Sequence, residues 1–243
     1  RSPSPPAMHR QPPIVPVAAL LCALGMGGPA LAGPGYYLVQ PYAEPGRLTL
    51  DLRYWTVKAP GREAVLWPEL GMRWGINSRW TTGLLASWVG RSLRSQQLEL
   101  LQWQNTWLLT QGEQPWDLAL HAQLDHITAK GTALALGPLL QTELGHAQLN
   151  LNLFLEHDWS RREGTRFKLQ WQALQRLGTG VRLGVQGFAE LGRWSDWEHT
   201  SVRTGPVLRL ALPGQLEWQA AYLWGRTFAR RGDMFSSQLT LPF

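Results

Sequence analysis

The sequence has a single cysteine, Cys22, and it lies in an N-terminal apolar stretch. From residue 33 onward the chain contains no thiol, which excludes disulfides and cysteine chemistry from that part. No apolar run after Gly33 approaches the ~20 residues that a membrane-spanning helix needs. Charged residues make up only 16% of the chain. These deficits exclude a disulfide-stabilised domain and a helical membrane protein.

The first 32 residues have the layout of a secretory signal peptide. Met8 is a plausible start, His9-Arg10 is cationic, residues 14–28 are apolar, and Ala30-Leu31-Ala32 is a small-x-small cleavage site. An anchored helix is the alternative interpretation of the apolar run. A lipoprotein site is disfavoured because Leu21, rather than a small residue, precedes Cys22. We therefore expect a signal peptide over 1–32, a periplasmic segment over 33–45 and a folded domain over 46–243.

Alternation of apolar and polar residues with a period of two runs through most of residues 46–243. In the segment Leu149 to Leu155 every odd residue is leucine, and Asn150 and Asn152 lie between them. Twelve segments carry this pattern, which is typical of strands with one lipid-facing and one lumen-facing side. One segment changes phase around Leu100-Leu101, where we expect either a β-bulge or a wrongly assigned strand. The sequence thus predicts an all-β, closed antiparallel transmembrane β-barrel of about 12 strands.

The connections between these segments alternate in length. Short turns, such as Asn77-Ser78 and Pro213-Gly214, alternate with longer, more charged connections, such as Asp158 to Gly164. Bacterial outer-membrane barrels place short turns in the periplasm and long loops outside the cell. Tryptophans near both kinds of connection predict two aromatic girdles: Trp80, Trp107, Trp116 and Trp218 near short turns, and Trp67, Trp159, Trp194, Trp197 and Trp224 near long ones.

The last segment, Asp233 to Phe243, alternates and ends the chain on an aromatic residue. It resembles the closing strand of Gram-negative outer-membrane barrels, in which a terminal aromatic residue is the signal for the barrel-assembly machinery. This resemblance implies that Phe243 is an assembly signal and that the protein resides in the cell outer membrane. We expect that removing Phe243 impairs barrel assembly and leaves secretion across the inner membrane intact.

Three stretches resemble a family of small, functionally uncharacterised, transporter-like outer-membrane barrels of Gram-negative bacteria. They are Gln40 to Gly46, Gly137 to Thr142 and Gly184 to Gly192. The resemblance implies a barrel fold and a porin-like or transporter role. It assigns no catalytic residue.

The inward faces of the predicted strands carry bases and acids in nearly equal number. A lumen-lining polar network is therefore expected from Arg47, Asp51, Arg53, Glu69, Arg73, Asp117, Glu156, Arg166, Lys168, Arg182, Glu190, Arg203, Arg209 and Glu217. One interpretation is a narrow channel for small polar solutes with a small, poorly selective current, since strong selectivity needs a ring of one sign. The other is a paired network that stiffens a plugged structural barrel.

The excess of positive charge lies in the predicted outer loops. Guanidinium groups there, such as Arg62 and Arg94, suit the phosphates of lipopolysaccharide, although an ordinary solvated surface explains them equally well. Nucleic acid is not an expected partner despite a pI near 10.0, because the bases form no single patch. Outer-membrane lipid is the expected environment.

A surface hydrolase is the third hypothesis. Histidines adjoin acids at Asp125-His126, His157-Asp158 and Glu198-His199, and Ser160 lies near the second pair. A carboxylate can orient imidazole as a general base, but neighbours in a strand point to opposite faces. The sequence has no metal-spaced cluster and no nucleotide motif, so we expect no metal and no cofactor.

Overall fold

The computed structural model describes residues 36–42, 44–110, 112, 114–159, 164–193, 201–227 and 230–243; the predicted signal peptide lies outside this range. The strands are β1 (Leu48–Lys58), β2 (Val65–Gly75), β3 (Trp80–Gly90), β4 (Gln96–Leu108), β5 (Trp116–Ile127), β6 (Gly131–Leu144), β7 (Ala147–Asp158), β8 (Thr165–Gly178), β9 (Val181–Arg193), β10 (Ser201–Ala211), β11 (Glu217–Thr227), β12 (Arg230–Arg231) and β13 (Asp233–Pro242). Twelve of them are long, and β12 is a two-residue strand paired with the end of β11.

The strands form a closed antiparallel ring. From β1 to β11 each strand pairs with the next one along the chain. β13 pairs with both β11 and β1 and so closes the ring. The ring therefore has no free edge, which satisfies the backbone groups where the wall meets lipid. The twelve-stranded antiparallel barrel predicted from the alternation is confirmed.

Both ends of the sheet lie at one rim, where the N–H of Phe243 donates to the carbonyl of Leu48 at 2.8 Å. We call this the turn rim, because the connections 76–79, 109–115, 145–146, 179–180 and 212–216 lie there. The opposite end is the loop rim. One predicted long connection is short, since only three residues separate Ile127 from Gly131.

The side chains alternate as predicted. In β7, Leu151 is 47% exposed on the outer face and Asn152 is 1% exposed on the inner face. Large apolar side chains remain exposed around the ring, including Met72, Leu84 and Trp103. A continuous apolar exterior of this kind is the lipid-facing belt of a barrel. Among the described residues, no helix is long and apolar enough to cross a membrane.

The phase change predicted in β4 is a β-bulge. Ser87 pairs with Leu100 and Trp88 pairs with Leu98, so Glu99 has no partner residue in β3. The extra residue reverses the alternation, and Leu100 is buried in the lumen while Leu101 is exposed outside. The bulge thus keeps both halves of β4 in phase with the lipid belt.

The segment before β1 runs through the lumen. Tyr36, Tyr37 and Leu38 are buried, and we call residues 36–42 the N-terminal strap. The strap runs from the loop-rim half of the barrel at Tyr36 to the turn rim at Tyr42. The sequence predicts a periplasmic segment over 33–45. In the structure, residues 36–42 of that segment lie inside the barrel instead. The physical reason is that two adjacent tyrosines and two aliphatic residues find apolar partners inside the wall.

Candidate functional site

An aromatic cluster closes the lumen in its loop-rim half. Trp55 of β1 and Trp67 of β2 stack in parallel, with ring centroids 4.1 Å apart and planes 2° apart. The Tyr36 ring packs edge-on against Trp55 at 5.2 Å and against Phe188 at 5.6 Å. Leu223, Met234 and Val207 surround these rings and are almost wholly inaccessible. Tyr36 thus fills the gap between aromatic residues of opposite walls.

Hydrogen bonds fix the rest of the strap to the wall. The Tyr37 hydroxyl donates to the carbonyl of Ser237 at 3.1 Å, and Asn152 Nδ2 donates to the carbonyl of Val39 at 2.9 Å. The Tyr42 hydroxyl donates to Asp117 Oδ2 at 2.7 Å. These bonds join the strap to strands on different sides of the ring, so the strap spans the bore instead of extending the sheet.

Two arginines of the wall lie against the strap tyrosines. The Arg53 Cζ atom is 4.9 Å from the centroid of the Tyr37 ring, and the Arg203 Cζ atom is 5.4 Å from that of Tyr36. Arg53 also lies 3.6 Å from Asp51. Burial raises the pKa of the Tyr36 phenol to about 12, so this hydroxyl is uncharged at neutral pH. The strap therefore meets these cations with neutral rings, through cation–π contacts.

Ion pairs line the turn-rim half of the lumen. Asp51 is wholly buried and accepts two hydrogen bonds from Arg73, at 2.6 and 3.1 Å. Further pairs in this half are Arg47 with Glu44, Arg182 with Glu143 and Arg209 with Glu217, whereas Lys168 pairs with Glu156 in the loop-rim half. Because acids and bases pair locally, these groups contribute little net charge to the wall. The nearly equal numbers of inward acids and bases in the sequence are consistent with this pairing.

Amide side chains connect the ion pairs across β8, β9 and β11. Gln172 Nε2 donates to Gln186 Oε1 at 2.9 Å, and Arg209 donates to both Gln172 and Gln219 at about 3.2 Å. With the Gln40 amide in the orientation that suits its neighbours, Arg209 also donates to its side-chain oxygen at 2.7 Å. The wall and the strap thereby share one polar network in the turn-rim half.

Two adjoining cavities open beneath the strap at the turn rim. One has a volume of about 360 Å³ and is lined by Arg47, Arg53, Arg73 and Gln104, among others. The second has a volume of about 740 Å³ and is lined by Arg176, Arg182 and Glu143, among others. Tyr42 and Arg209 border both. A small polar solute fits these volumes, and the strap and the aromatic cluster close the path above them.

Of the residues predicted to line the lumen, Arg47 precedes β1, and Asp51, Glu69, Arg203 and Arg209 are buried on inward-facing positions. The predicted network nevertheless separates into two ends, because Arg182 begins β9 at the turn rim and Glu190 lies toward its loop-rim end. The described partners of Arg182 are Glu143 and Gln148. Trp67, assigned above to the outer girdle, stacks inside the lumen. Trp80 and Trp107 stack outside near the turn rim, as a girdle requires.

Among the described residues, one of the predicted histidine sites is not assembled. Asp125 is buried in the lumen and His126 is exposed outside, so this pair points to opposite faces. The described neighbours of His157 are Thr165 and Trp159. Ser160, Glu198 and His199 lie outside the described residues. Within the described ranges, no three His, Cys, Asp or Glu side chains are arranged to hold a metal ion.

Sequence reasoning missed the strap and its contacts. The adjacent aromatic residues Tyr36-Tyr37 before the barrel were the available signal, since two neighbouring tyrosines are unusual in a solvent-exposed linker. His121 was also missed: it is buried in the lumen, where Nδ1 lies 2.8 Å from Thr106 Oγ1. Its position is set by ordinary alternation in β5, and nothing in the sequence marks it.

Several solved structures share this fold. The NanC porin superposes with a TM-score of 0.62 at 9% identity, over 79% of this chain and 98% of that one. The KdgM porin in complex with disordered oligogalacturonate gives 0.61 at 6% identity, over 80% and 99%. An outer membrane channel from Pseudomonas putida F1 gives 0.60 at 11% identity, over 88% and 100%.

Sequence comparison adds no nearer relative: no family model matches the chain, and no curated protein is significantly similar to it. At 6–11% identity the structural likeness concerns the fold. The closed ring and its apolar exterior are independent evidence for a membrane barrel, because such a surface is stable only in lipid. The chain therefore has the twelve-stranded fold of small outer-membrane β-barrel channels, and the outer membrane is where this fold resides.

Proposed function

We propose that this protein is a narrow outer-membrane channel for small polar solutes, and that the N-terminal strap closes it in the state described here. The wall carries paired charges and amides, which form a hydrated surface when the strap is absent. Porins of the same fold support this role, and one of them was solved with oligogalacturonate.

One observation carries the proposal: the side chains that close the bore come from the strap as well as from the wall. Tyr36 lies between Trp55 and Phe188, and Tyr37 and Leu38 follow it down the bore. A barrel plugged only by its wall would need repacking of the sheet to open. A strap fixed by a few hydrogen bonds can leave without breaking any strand pairing.

The test is bilayer conductance of the refolded protein beside the double variant Tyr36→Ala/Tyr37→Ala. We expect small, intermittent current from the unmodified chain and larger, steadier current from the variant, because the rings that fill the bore are gone. The matched control is Tyr222→Ala, which removes a ring of similar size from the outer face. It should leave the current unchanged.

Selectivity provides a second readout. The pairs Arg73–Asp51, Lys168–Glu156 and Arg209–Glu217 cancel each other's field along the wall, so the opened channel should discriminate poorly between cations and anions. If neither the unmodified chain nor the double variant conducts, the plugged structural barrel becomes the better interpretation.

Partners at the two rims are part of the same proposal. Lys58, Arg62 and Arg91 border one cleft at the loop rim together with Glu63. Guanidinium forks suit phosphate groups, so we assign this cleft to lipopolysaccharide phosphates. Phe243, exposed at the turn rim, is available to the barrel-assembly machinery. Omission of lipopolysaccharide during refolding should lower the yield less in the Arg62→Gln/Arg91→Gln variant than in the unmodified chain.

A further inference from the structure

Arg203 is the least satisfied charged group in the lumen. Its side chain is 1% exposed, and in the part of the chain that the structure describes Nε, Nη1 and Nη2 have no hydrogen-bond partner. Glu190 and Asp233 act on it electrostatically, but neither accepts a hydrogen bond from it. A buried guanidinium normally has its donors paired, because desolvation of an unpaired charge is costly.

The strap is what covers this guanidinium. The Arg203 Cζ atom lies 5.4 Å from the centroid of the Tyr36 ring. Among the described residues, no group makes a hydrogen bond of ordinary geometry with the Tyr36 hydroxyl, although Ser201 and Arg203 both lie close to it. A cation–π contact is weaker than a charge-assisted hydrogen bond to an oxyanion. Tyr36 therefore shields Arg203 from water without satisfying the five donors of its fork.

We propose that small organic anions displace the strap, and that their carboxylate or phosphate oxygens bind the Arg203 fork that Tyr36 covers in the closed state. This inference rests on the proposed channel function and names its solute class. Arg203 would then be an oxyanion site in the loop-rim half once the bore opens.

The physical basis is competition for one guanidinium. An anion has access to Arg203 only when Tyr36 has left, so it binds the open state and not the closed one. A ligand that binds one of two states shifts the population towards that state. Planar oxyanions suit the fork geometry of arginine, whereas a neutral sugar or a chloride ion gains no bidentate contact.

Ser201 allows this displacement to be measured. It is 2% exposed and lies beside the Tyr36–Arg203 contact, so a cysteine there is shielded until the strap leaves. The full chain carries Cys22→Ser and Ser201→Cys, and labelling by a charged, membrane-impermeant maleimide is timed in citrate and in chloride of equal ionic strength. We expect citrate to raise the labelling rate roughly tenfold, a usual scale for coupling between two sites.

The matched control is Ser87→Cys, another buried inward serine of the wall. Its labelling should not respond to citrate, which separates strap displacement from general loosening. In the Ser201→Cys background, Arg203→Gln should abolish the citrate effect. Arg203→Lys keeps the charge but loses the fork, so citrate should accelerate labelling to an intermediate extent in this variant. If Arg203→Gln does not form a heat-modifiable barrel, Arg203→Lys takes its place in the test.

Three results overturn the inference: no acceleration by citrate at Ser201→Cys, equal acceleration at Ser87→Cys, or a citrate effect that persists without Arg203. None of them depends on current through a bilayer. A barrel that conducts but shows no citrate effect refutes anion displacement alone, whereas a citrate effect in a barrel that never conducts refutes the channel.

Discussion

Asp51 holds the turn-rim half of the lumen together. Its buried carboxylate accepts hydrogen bonds from Arg73, Gln238 and Thr240, and Arg53 lies 3.6 Å away. These donors come from β1, β2 and β13, so a single side chain joins the strands at which the ring closes. Its negative charge also partly offsets the positive charges of Arg53 and Arg73, which line the cavity of about 360 Å³.

Replacing Asp51 with asparagine should strongly destabilise the barrel. Asparagine keeps the shape but leaves Arg73 without its counter-charge and Arg53 with Glu69 alone, and losing one partner of a buried pair costs about 3–5 kcal/mol. Urea unfolding of the protein in lipid vesicles measures the change. Glu143→Gln is the control, since the Glu143 side chain is 48% exposed beside Arg182 and such pairs contribute about 1 kcal/mol or less. Equal losses in both variants would contradict the role assigned to Asp51.

Leu151 tests the assignment of faces. Arginine at this lipid-facing position should cost about 2–4 kcal/mol if the site is near the bilayer midplane. The sequence alone suggests Asn152 as the inward comparison, but Asn152 binds the strap. Gln104, which lines the cavity in the middle of β4, is the better control. Gln104→Arg should cost much less in reversible unfolding, and similar penalties would refute the faces.

Among the elements, β6 and β9 contain glycines that the sequence could not explain. Gly137 and Gly184 fall in two of the stretches that carry the family resemblance. A Cβ atom at either position would lie 1.8 Å from a carbonyl oxygen of the neighbouring strand, that of Leu153 or of Ala173. The resemblance therefore marks places where the backbones of neighbouring strands approach closely.

Gly184→Ala should impair assembly of the barrel. Its methyl group cannot be accommodated without moving the backbone of β8 away from β9. We expect a lower yield of heat-modifiable protein and a lower unfolding midpoint. Gly178→Ala is the control, because a Cβ there meets nothing within 4 Å and the backbone is not left-handed. Normal assembly of Gly184→Ala would mean that the strands separate more easily than the packing indicates.

The strands were predictable from the sequence because lipid imposes a period of two on every one of them. Even the bulge at Glu99 was visible as a break in that period. The assignment of Trp67 to a girdle was wrong, although the period of two already places Trp67 on the same face as the inward Glu69 and Arg73. The register agrees with this period, because it pairs Trp67 with the buried Trp55. Ion-pair partners were not predictable, because they depend on which strands meet across the bore.

For the whole molecule, the strap is the feature that the sequence concealed. A seven-residue segment carries no periodic signal, and its tyrosines match a surface that exists only after the ring closes. Val39 illustrates this: its backbone hydrogen-bonds side chains of β7 and β8, more than a hundred residues away. The contacts of the strap therefore depend on strands far away in the sequence, and this is why no local pattern marks it.

Closure of the ring depends on the last strand. β13 pairs with β1 over ten residues, and Phe243 continues the ladder through its N–H bond to the Leu48 carbonyl. Deletion of Phe243 removes an exposed aromatic side chain and one terminal hydrogen bond, which is a small loss of stability in the finished barrel. We nevertheless expect far less heat-modifiable protein in cells, because the aromatic end is the proposed assembly signal.

Comparison of assembly in cells with refolding of the purified chain separates these two effects. The Phe243-deleted chain should refold in detergent almost as well as the unmodified chain, and it should still cross the inner membrane. Phe243→Tyr keeps an aromatic terminus and should assemble normally in cells. Normal levels of assembled barrel without Phe243 would contradict its role as a signal. Failure in both settings would show instead that the terminal residue is needed for closure itself.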